Sequence, residues 1–202
     1  MIRTLRTTLP VILSLVATAS LAGGPLPIGA DMPMADVKMK GVDGRDFALA
    51  DVKTAQGTLV VFTCNHCPFA KMWETRIVEL GNAYAAKGLG VIAINANDPK
   101  VAEEDSYEVM QQRAKDRGMK FPYVVDATSG LARAFGATKT PEAFLFDKDG
   151  KLVYHGAIDD NGQEPAKVEN AYLKNALEAV VAGKDVAVKE TKSIGCGIKF
   201  RS

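Results

Sequence analysis

Two of the three cysteines in this 202-residue chain lie close together, in the run Cys64-Asn65-His66-Cys67-Pro68. Pro68 fits a helix only in its first turn, so we expect a helix to begin there with Cys67 next to its N-cap. The helix dipole favours a thiolate over a thiol at that position. A thiolate beside a second thiol is suited to disulfide exchange. The pattern therefore predicts redox chemistry.

A strand before the two thiols and a helix after them must hold the pair in place. The apolar run 59–62 is short and β-branched, which is typical of a buried strand. After Cys67, large apolar residues recur every three or four positions and predict an amphipathic helix. These residues are Phe69, Trp73, Ile77, Leu80 and Tyr84. Trp73 and Tyr84 are thus expected in the core and not at a substrate.

The remaining patterns predict one α/β domain over residues 35–183, followed by a tail at 184–202. Apolar residues make up 47% of the chain and charged residues 24%, as in ordinary globular proteins. The predicted strands are 35–39, 46–49, 91–95, 121–126 and the hairpin of 143–146 with 151–154, and the further helices are 103–117, 129–135 capped by Ser129, and 167–182. The order β-α-β-α-β-α-β-β-α predicts a mixed central sheet with helices on both faces.

The first 22 residues have the pattern of a secretory signal peptide. Arg3 and Arg6 precede an apolar stretch, and small-x-small cleavage sites follow at 17–19 and 20–22. An uncleaved membrane anchor is the alternative, although the apolar run is short for a membrane span. Residues 23–34, rich in Gly and Pro, are expected to form an extended lead-in. The prediction is export to the periplasm or the outside, where disulfides persist.

The charge balance bears on the partners. The net charge of +1 becomes −1 after cleavage, because two arginines and no acids are lost. A nearly neutral chain without a basic stripe argues against nucleic acid and anionic membranes as partners. We therefore expect no nucleic acid partner and no stable membrane insertion after signal cleavage.

The third cysteine, Cys196, lies between Gly195 and Gly197 in the tail. The glycines allow close backbone approach and a mobile tail, as a resolving or relay cysteine needs. Such a tail can reach back over the N-terminus of the helix that follows Cys67. The alternative is a bystander thiol.

Other uses of these residues are less well supported by the pattern. A zinc site needs further ligands, and only Cys196, His66 and His155 remain. A purely structural disulfide across two residues would restrict the unfolded chain little. His155 lies in a strand pattern and is expected to be packed or exposed. Residues 159–161 lack the spacing and distal Glu of a calcium loop, so a turn is expected there.

A second segment supports the prediction of redox chemistry, and together with the cysteines it resembles a known family. Thr140-Pro141 leads directly into the predicted hairpin, and with the Cys-x-x-Cys it resembles the thioredoxin fold. More narrowly, residues 26–182 resemble the redoxins, namely the alkyl-hydroperoxide-reductase/thiol-specific-antioxidant family and the exported thioredoxin-like reductases. The resemblance implies that Pro141 is cis and lies beside the cysteines. It also implies that the backbone of Thr140 pairs with a bound peptide or partner cysteine.

The resemblance also bears on the roles of the thiols. Counting along the family pattern from Phe62 places Cys67 at the position of the nucleophile. The alternative is that the roles of Cys64 and Cys67 are reversed. The expected roles are attack by Cys67, resolution by Cys64 and, when it is protonated, a favourable positive charge from His66. A solvated loop is the alternative for His66. The peroxiredoxin pattern Pro-x-x-x-Thr-x-x-Cys fails, because Val60 and Cys64 replace its Pro and Thr.

The function predicted from the sequence is that of an exported thiol–disulfide oxidoreductase. A thiol-dependent peroxidase is the second hypothesis, and a copper metallochaperone is a third, since soft thiolates suit Cu(I). The catalytic candidates are Cys64, Cys67, Cys196 and His66, with Thr140 and Pro141 as substrate-binding residues. No cofactor and no metal are expected. The expected partners are protein or small-molecule thiols and disulfides, peroxide under the second hypothesis, and a redox partner protein.

Overall fold

The computed structural model describes residues 24–202, so the predicted signal peptide and residue 23 lie outside the described residues. The strands are β1 (Met39–Gly41), β2 (Asp46–Phe47), β3 (Thr58–Phe62), β4 (Gly90–Asn95), β5 (Tyr123–Val125), β6 (Lys139–Thr140), β7 (Glu142–Phe146), β8 (Leu152–Gly156) and β9 (Cys196–Gly197). The helices are α1 (Leu49–Val52), α2 (Pro68–Ala85), α3 (Tyr107–Arg117), α4 (Gly130–Phe135) and α5 (Tyr172–Val181).

Seven strands form one mixed sheet in the order β2-β1-β5-β4-β3-β7-β8. Strands β3, β4 and β5 run parallel, whereas β7 pairs antiparallel with both β3 and β8. The turn between β7 and β8 is the predicted one, with Asp147 N–H bonded to the carbonyl of Lys151 at 2.9 Å. The prediction of a mixed α/β sheet is confirmed.

Successive residues of the central strands point to opposite faces of the sheet, as strand geometry requires. Leu59 and Val61 belong to one apolar cluster, and Val60 and Phe62 belong to the other. The first cluster is closed by side chains of α2, α3 and α5, and the second by side chains of α1 and α4. Helices therefore cover both faces, as predicted. Trp73 and Tyr84 are buried in the first cluster, which confirms their assignment to the core.

The helix capping predicted for Ser129 is wrong. Ser129 adopts a left-handed φ of 53°, and its hydroxyl donates to the carbonyl of Ala96 at 2.7 Å. The cap comes from Asp126, whose carboxylate accepts the N–H groups of Gly130 and Ala132, each at 3.0 Å. A carboxylate also interacts favourably with the positive end of the helix dipole, so Asp126 is the stronger cap.

Several predicted boundaries differ from the structure. Pairing in the first predicted strand begins only at Met39, and the second stops at Phe47 because the short helix α1 follows. The predicted helix 103–117 is a 3₁₀ turn at Glu103–Asp105 followed by α3. The last helix begins at Tyr172, since Pro165–Lys167 form a separate 3₁₀ turn.

The residues after α5 return across the sheet and the α2 N-terminus. They bond first to β8, where Thr191 N–H donates to the carbonyl of His155 at 3.0 Å. They then form β9, which pairs antiparallel with β6 as a separate two-stranded sheet. No helix within residues 24–202 has the length and hydrophobicity to cross a membrane.

Candidate active site

The Cys-x-x-Cys lies between the end of β3 and the start of α2. β3 is fully buried and ends at Phe62, and α2 begins at Pro68 with Cys67 in an extended conformation as its N-cap. This arrangement is the one predicted from Pro68. Cys67 is 0% exposed and Cys64 is 4% exposed, so neither thiol is open to solvent.

The segment before β7 lies against both thiols. The Thr140–Pro141 peptide bond is cis, as the resemblance implied. The hydroxyl of Thr140 lies 3.1 Å from Cys64 Sγ, and its carbonyl oxygen lies 3.5 Å from Cys67 Sγ. Residues 64, 67 and 140 therefore form one buried cluster at the start of α2.

The surroundings make the two thiols chemically unequal. Donation from the Cys64 thiol is the largest cause that lowers the pKa of Cys67, to about 4, against the opposing effect of burial. The Cys196 thiol and the backbone N–H groups of Ala70 and Cys196 lower the pKa of Cys67 further. The same contact with Cys67, together with burial, raises the pKa of Cys64. Cys67 is thus the thiolate of the pair and Cys64 is the proton-bearing partner.

His66 is held by a buried carboxylate that the sequence patterns did not single out. His66 Nδ1 lies 2.6 Å from Asp105 Oδ2, and the Asp105 side chain is fully buried. Asp105 also accepts from Asn65 N–H at 2.6 Å and from the side-chain amides of Asn95 at 3.1 Å and Asn97 at 2.8 Å. The contacts of His66 therefore go to Asp105 and, at 3.4 Å, Asn97, and no hydrogen bond to a thiol is found in the described residues.

The network around Asp105 also supports the loop between the cysteines. Tyr123 OH donates to Asn65 Oδ1 at 3.0 Å, and the Asn65 amide donates to the carbonyl of Glu104 at 2.9 Å. Burial raises the pKa of Tyr123, which keeps this hydroxyl a donor. The signal in the sequence was the placement of Asn65 shortly after β3 and of Asn95 at the end of β4, because the carboxyl ends of neighbouring parallel strands meet at one sheet edge.

Glu142 is a second residue that the sequence patterns did not single out. It follows Pro141 directly, and its Oε2 accepts the N–H groups of Thr138 at 2.8 Å and Lys139 at 3.0 Å. Its Oε1 lies 2.7 Å from Nε2 of His155, which is buried. Glu142 and His155 therefore fix the backbone that carries Thr140. His155 was expected to be either packed or exposed, and it is packed.

The same residues include one candidate set of metal ligands. Ligand atoms of Cys64, His66 and Asp105 lie within 4.8 Å of one another, the one such group found among residues 24–202. Both carboxylate oxygens of Asp105 are already saturated by four hydrogen bonds, one of which occupies the near nitrogen of His66. A metal ion would have to break these bonds, so the cluster fits a hydrogen-bond network better than a metal centre.

The tail places Cys196 at this site. Thr140 pairs with Cys196 in the β6–β9 ladder, and the Cys196 side chain packs against Cys64, Cys67 and Ala70. The expectation that the tail reaches back over the helix N-terminus is confirmed. The tail is not free, however, since Ile198 N–H also bonds to the carbonyl of Thr138 at 3.0 Å.

Comparison with known proteins identifies the class. A thioredoxin-like protein solved in its oxidised form superposes with a TM-score of 0.61 over 77% of this chain and 98% of that one, at 21% identity, so the fold is thioredoxin-like. A model of the AhpC/TSA family matches residues 28–155, and the chain belongs to that family.

Two further relatives are more similar in sequence. An uncharacterised conserved protein from Geobacillus kaustophilus is 39% identical, with a TM-score of 0.81 over 87% of this chain and 93% of that one. The thiol-disulfide oxidoreductase ResA of Bacillus thuringiensis is 25% identical over 149 residues, which is 74% of this chain and 78% of the relative. The family and the similarity to ResA agree with a redox role for the cysteine cluster.

Proposed function

We propose that this protein is an exported thiol–disulfide oxidoreductase in which Cys67 attacks and Cys64 resolves. One observation carries the proposal: Cys67 is the N-cap of α2, packs against Cys64, and has its Sγ 3.5 Å from the carbonyl oxygen of Thr140. This set supplies a thiolate, a second thiol within reach and a backbone edge for the substrate. Relatives named thiol-disulfide oxidoreductase support the same chemistry.

The reaction follows from the unequal thiols. The Cys67 thiolate attacks one sulfur of a substrate disulfide, the S–S bond breaks, and the released thiolate takes a proton from solvent. Cys67 is then in a mixed disulfide and no longer accepts from Cys64, which removes the main cause that raises the pKa of Cys64. Cys64 loses its proton, attacks Cys67 Sγ and expels the second substrate thiolate. Two electrons pass to the substrate, and a partner dithiol restores the Cys64–Cys67 pair.

The other candidate residues take supporting roles in this proposal. Cys196 packs against Cys67 and is a second thiol that can resolve the mixed disulfide or relay it to a partner. His66, held by Asp105, adds positive charge near the thiolate when it is protonated. Thr140 and Pro141 present the substrate-binding edge. No step requires a cofactor.

Trapping experiments on cysteine replacements test the assignment. With reduced protein, C64S/C196S is expected to accumulate a mixed disulfide with a protein substrate, because neither resolving thiol remains, whereas C67S is expected to form none and to lose the rapidly alkylated thiol. C196S, which keeps both Cys64 and Cys67, is the matched control and should still reduce the substrate. A C67S variant that retains the fast thiol would contradict the assignment of Cys67 as attacker.

Peroxide reduction is the second candidate, because membership of the AhpC/TSA family favours it. Two observations weigh against it: Cys64 stands where the peroxidase pattern has Thr, and the Thr140 hydroxyl contacts Cys64 instead of Cys67. Reduced protein should therefore consume hydrogen peroxide no faster than a free thiol while exchanging protein disulfides rapidly. Fast peroxide consumption that is lost in C67S would make the protein a peroxidase.

Export and partner class complete the proposal. A cleaved N-terminus after residue 22, with both active-site thiols in an oxidising compartment, would fit exported substrates such as protein thiols and disulfides. Cell fractionation and mass measurement of the mature N-terminus test this placement. Copper binding by the reduced protein is the competing metallochaperone hypothesis, and metal analysis after reduction separates the two.

A further inference from the structure

The strand position beside Thr140 is occupied by the chain itself. β9 pairs antiparallel with β6 in the register Lys139 to Gly197 and Thr140 to Cys196. This is the backbone edge at which a peptide with a cysteine would pair in the proposed function. A cysteine of the tail thus lies where the cysteine of a substrate strand is expected.

The same segment closes the site over the reactive thiol. Cys67 is 0% exposed, while Cys196 is only half-buried and packs directly on the Cys64–Cys67 cluster. Burial and donation to Cys67 raise the pKa of Cys196, which keeps it a proton donor toward the thiolate. Residues 195–201, called the cover below, therefore shield Cys67 without a covalent bond to it.

Hydrogen bonds along the cover hold it in place. Lys199 N–H donates to Asn97 Oδ1 and its carbonyl accepts from Asp98 N–H, both at 2.7 Å. Arg201 N–H donates to Ser129 Oγ at 2.9 Å, and Ile198 is buried in the core. A Cβ atom on Gly195 would lie 2.2 Å from the carbonyl oxygen of Thr140, so only glycine allows this close approach.

An apolar groove adjoins the cover. Phe69 and Met72 of α2 and Ile194 before the cover are exposed large apolar side chains. With Trp73 and residues 160–163 they line a groove of 230 Å³. Exposed apolar side chains at the rim of a site are typical of a surface that binds protein segments.

We propose that the cover is a built-in substrate mimic, and that an extended, cysteine-containing protein segment reaches Cys67 only by displacing the cover from Thr140. This proposal rests on the proposed function and names its substrate class, a peptide segment with apolar residues near its cysteine. Departure of the cover carries Ile194 away and widens the groove beside Phe69. Disulfide exchange with such segments is therefore gated by the tail.

The two glycines beside Cys196 provide a matched pair of variants. G195A places a methyl group against the Thr140 backbone, whereas a Cβ on Gly197 meets its nearest heavy atom, the Thr138 carbonyl oxygen, only at 4.0 Å. Both changes are made in a C196S chain, so that alkylation by a bulky maleimide reports on residue 67. The alkylated site is read by peptide mass mapping, and thermal unfolding confirms that each variant folds.

G195A is expected to speed alkylation of Cys67 by about tenfold or more, because a cover that opens more easily exposes the thiol more often. The alkylation rate of G197A is expected to stay within about twofold of the rate of the C196S parent, because the added methyl group makes no close contact. In the chain that retains Cys196, G195A should also raise kcat/KM for a peptide disulfide. Equal rates in folded G195A and G197A would overturn the proposal.

Ile198→Ala is the second opening variant, used if G195A does not fold, and it loosens the cover by removing a buried side chain. It too should speed alkylation of Cys67, and an unchanged rate would overturn the proposal. If these variants speed alkylation of Cys67 but the protein exchanges no disulfide, the proposed function is refuted and the gating by the cover stands. If the protein exchanges disulfides at the same rate in every cover variant, the gating is refuted and the proposed function stands.

Discussion

At the scale of single residues, the two thiols of the Cys-x-x-Cys differ because one donates a hydrogen bond to the other. The thiolate form of Cys67 is favoured by hydrogen bonds from the thiols of Cys64 and Cys196 and from the backbone N–H groups of Ala70 and Cys196. Burial alone would have the opposite effect, since it disfavours a charged thiolate. The neighbouring thiols therefore decide which sulfur is reactive.

Replacement of Cys64 by Ala should raise the pKa of Cys67 toward about 8.5, the ordinary value for a thiol. The lowered pKa of about 4 keeps Cys67 ionised above that pH, so alkylation of the C196S chain should be nearly constant from about pH 6 to pH 8. In C64A/C196S the rate should rise steeply over the same interval, because each step in pH adds thiolate. Iodoacetamide rates against pH measure both profiles.

C64S/C196S is the matched control, since its hydroxyl still donates to Cys67 and should shift the profile less than alanine does. A flat profile in both double variants would show that Cys64 is not the main cause of the lowered pKa.

Asp105→Asn should lower the free energy of unfolding by about 1–3 kcal/mol, the cost of leaving buried polar groups unpaired. The new amide retains one acceptor oxygen where the carboxylate served four donors, including Asn65 N–H and the His66 ring. Urea unfolding of the reduced protein measures the loss. D116N, an exposed change in α3, is the control and should cost less than about 0.5 kcal/mol. Equal effects of the two variants would contradict the role given to Asp105.

At the scale of elements, the segment that carries the cis-proline is held in position by β7, the strand that follows it. Glu142 in β7 accepts the backbone N–H groups of Thr138 and Lys139 and pairs with His155 of β8. The β7–β8 hairpin thereby sets the position of Thr140 relative to both thiols. The start of α2 and the start of β7 act together as one rigid support.

Glu142→Gln should slow disulfide exchange and lower the free energy of unfolding by about 1–3 kcal/mol. Gln carries no negative charge and keeps one acceptor oxygen where the carboxylate used two, so the contacts to the backbone N–H groups of Thr138 and Lys139 and to His155 Nε2 lose the strength that the charge gave them. Exchange rates with a peptide disulfide and urea unfolding are the two measurements.

E178Q is the control for this change, because the Glu178 side chain is exposed and its one hydrogen bond within residues 24–202 comes from Lys174 on α5. Its expected cost is below about 0.5 kcal/mol. An E142Q variant as stable and as active as E178Q would contradict the positioning role of Glu142.

At the scale of the whole molecule, stabilisation of the thiolate favours the reduced protein. The same donors are lost once Cys67 enters a disulfide, so the oxidised form gains nothing from them. The reduced form should therefore unfold at a higher urea concentration than the oxidised form. The reduction potential should lie above about −270 mV, the value for thioredoxin.

Equilibration with glutathione buffers, followed by trapping of free thiols and mass measurement, gives this potential. The C64A/C67A chain supplies the control for unfolding, because its stability should not depend on added reductant. A potential at or below that of thioredoxin would contradict the stabilising effect assigned to the donors around Cys67.

Short-range patterns in the sequence predicted most of the central fold. The β-branched run became β3, and Pro68 placed the start of α2 correctly, since both depend on neighbours along the chain. Asp105 lay in an acidic stretch predicted to be helical, and its hydrogen-bond partner Asn65 is 40 residues away in the sequence. The role of Glu142 could not be predicted from the sequence, because its partner His155 lies on β8 and meets it only when β7 and β8 pair. The tail was expected over α2, but its register with Thr140 required the folded sheet.

The β6–β9 pair has a consequence for how the protein is made. A chain is synthesised from its N-terminus, so Cys64, Cys67 and β6 are made before the residues of the cover. Until the cover is made, no strand lies beside Thr140, and the thiols of Cys64 and Cys67 stay accessible to oxidants. The newborn chain is thus open to oxidation in a way that the finished protein is not.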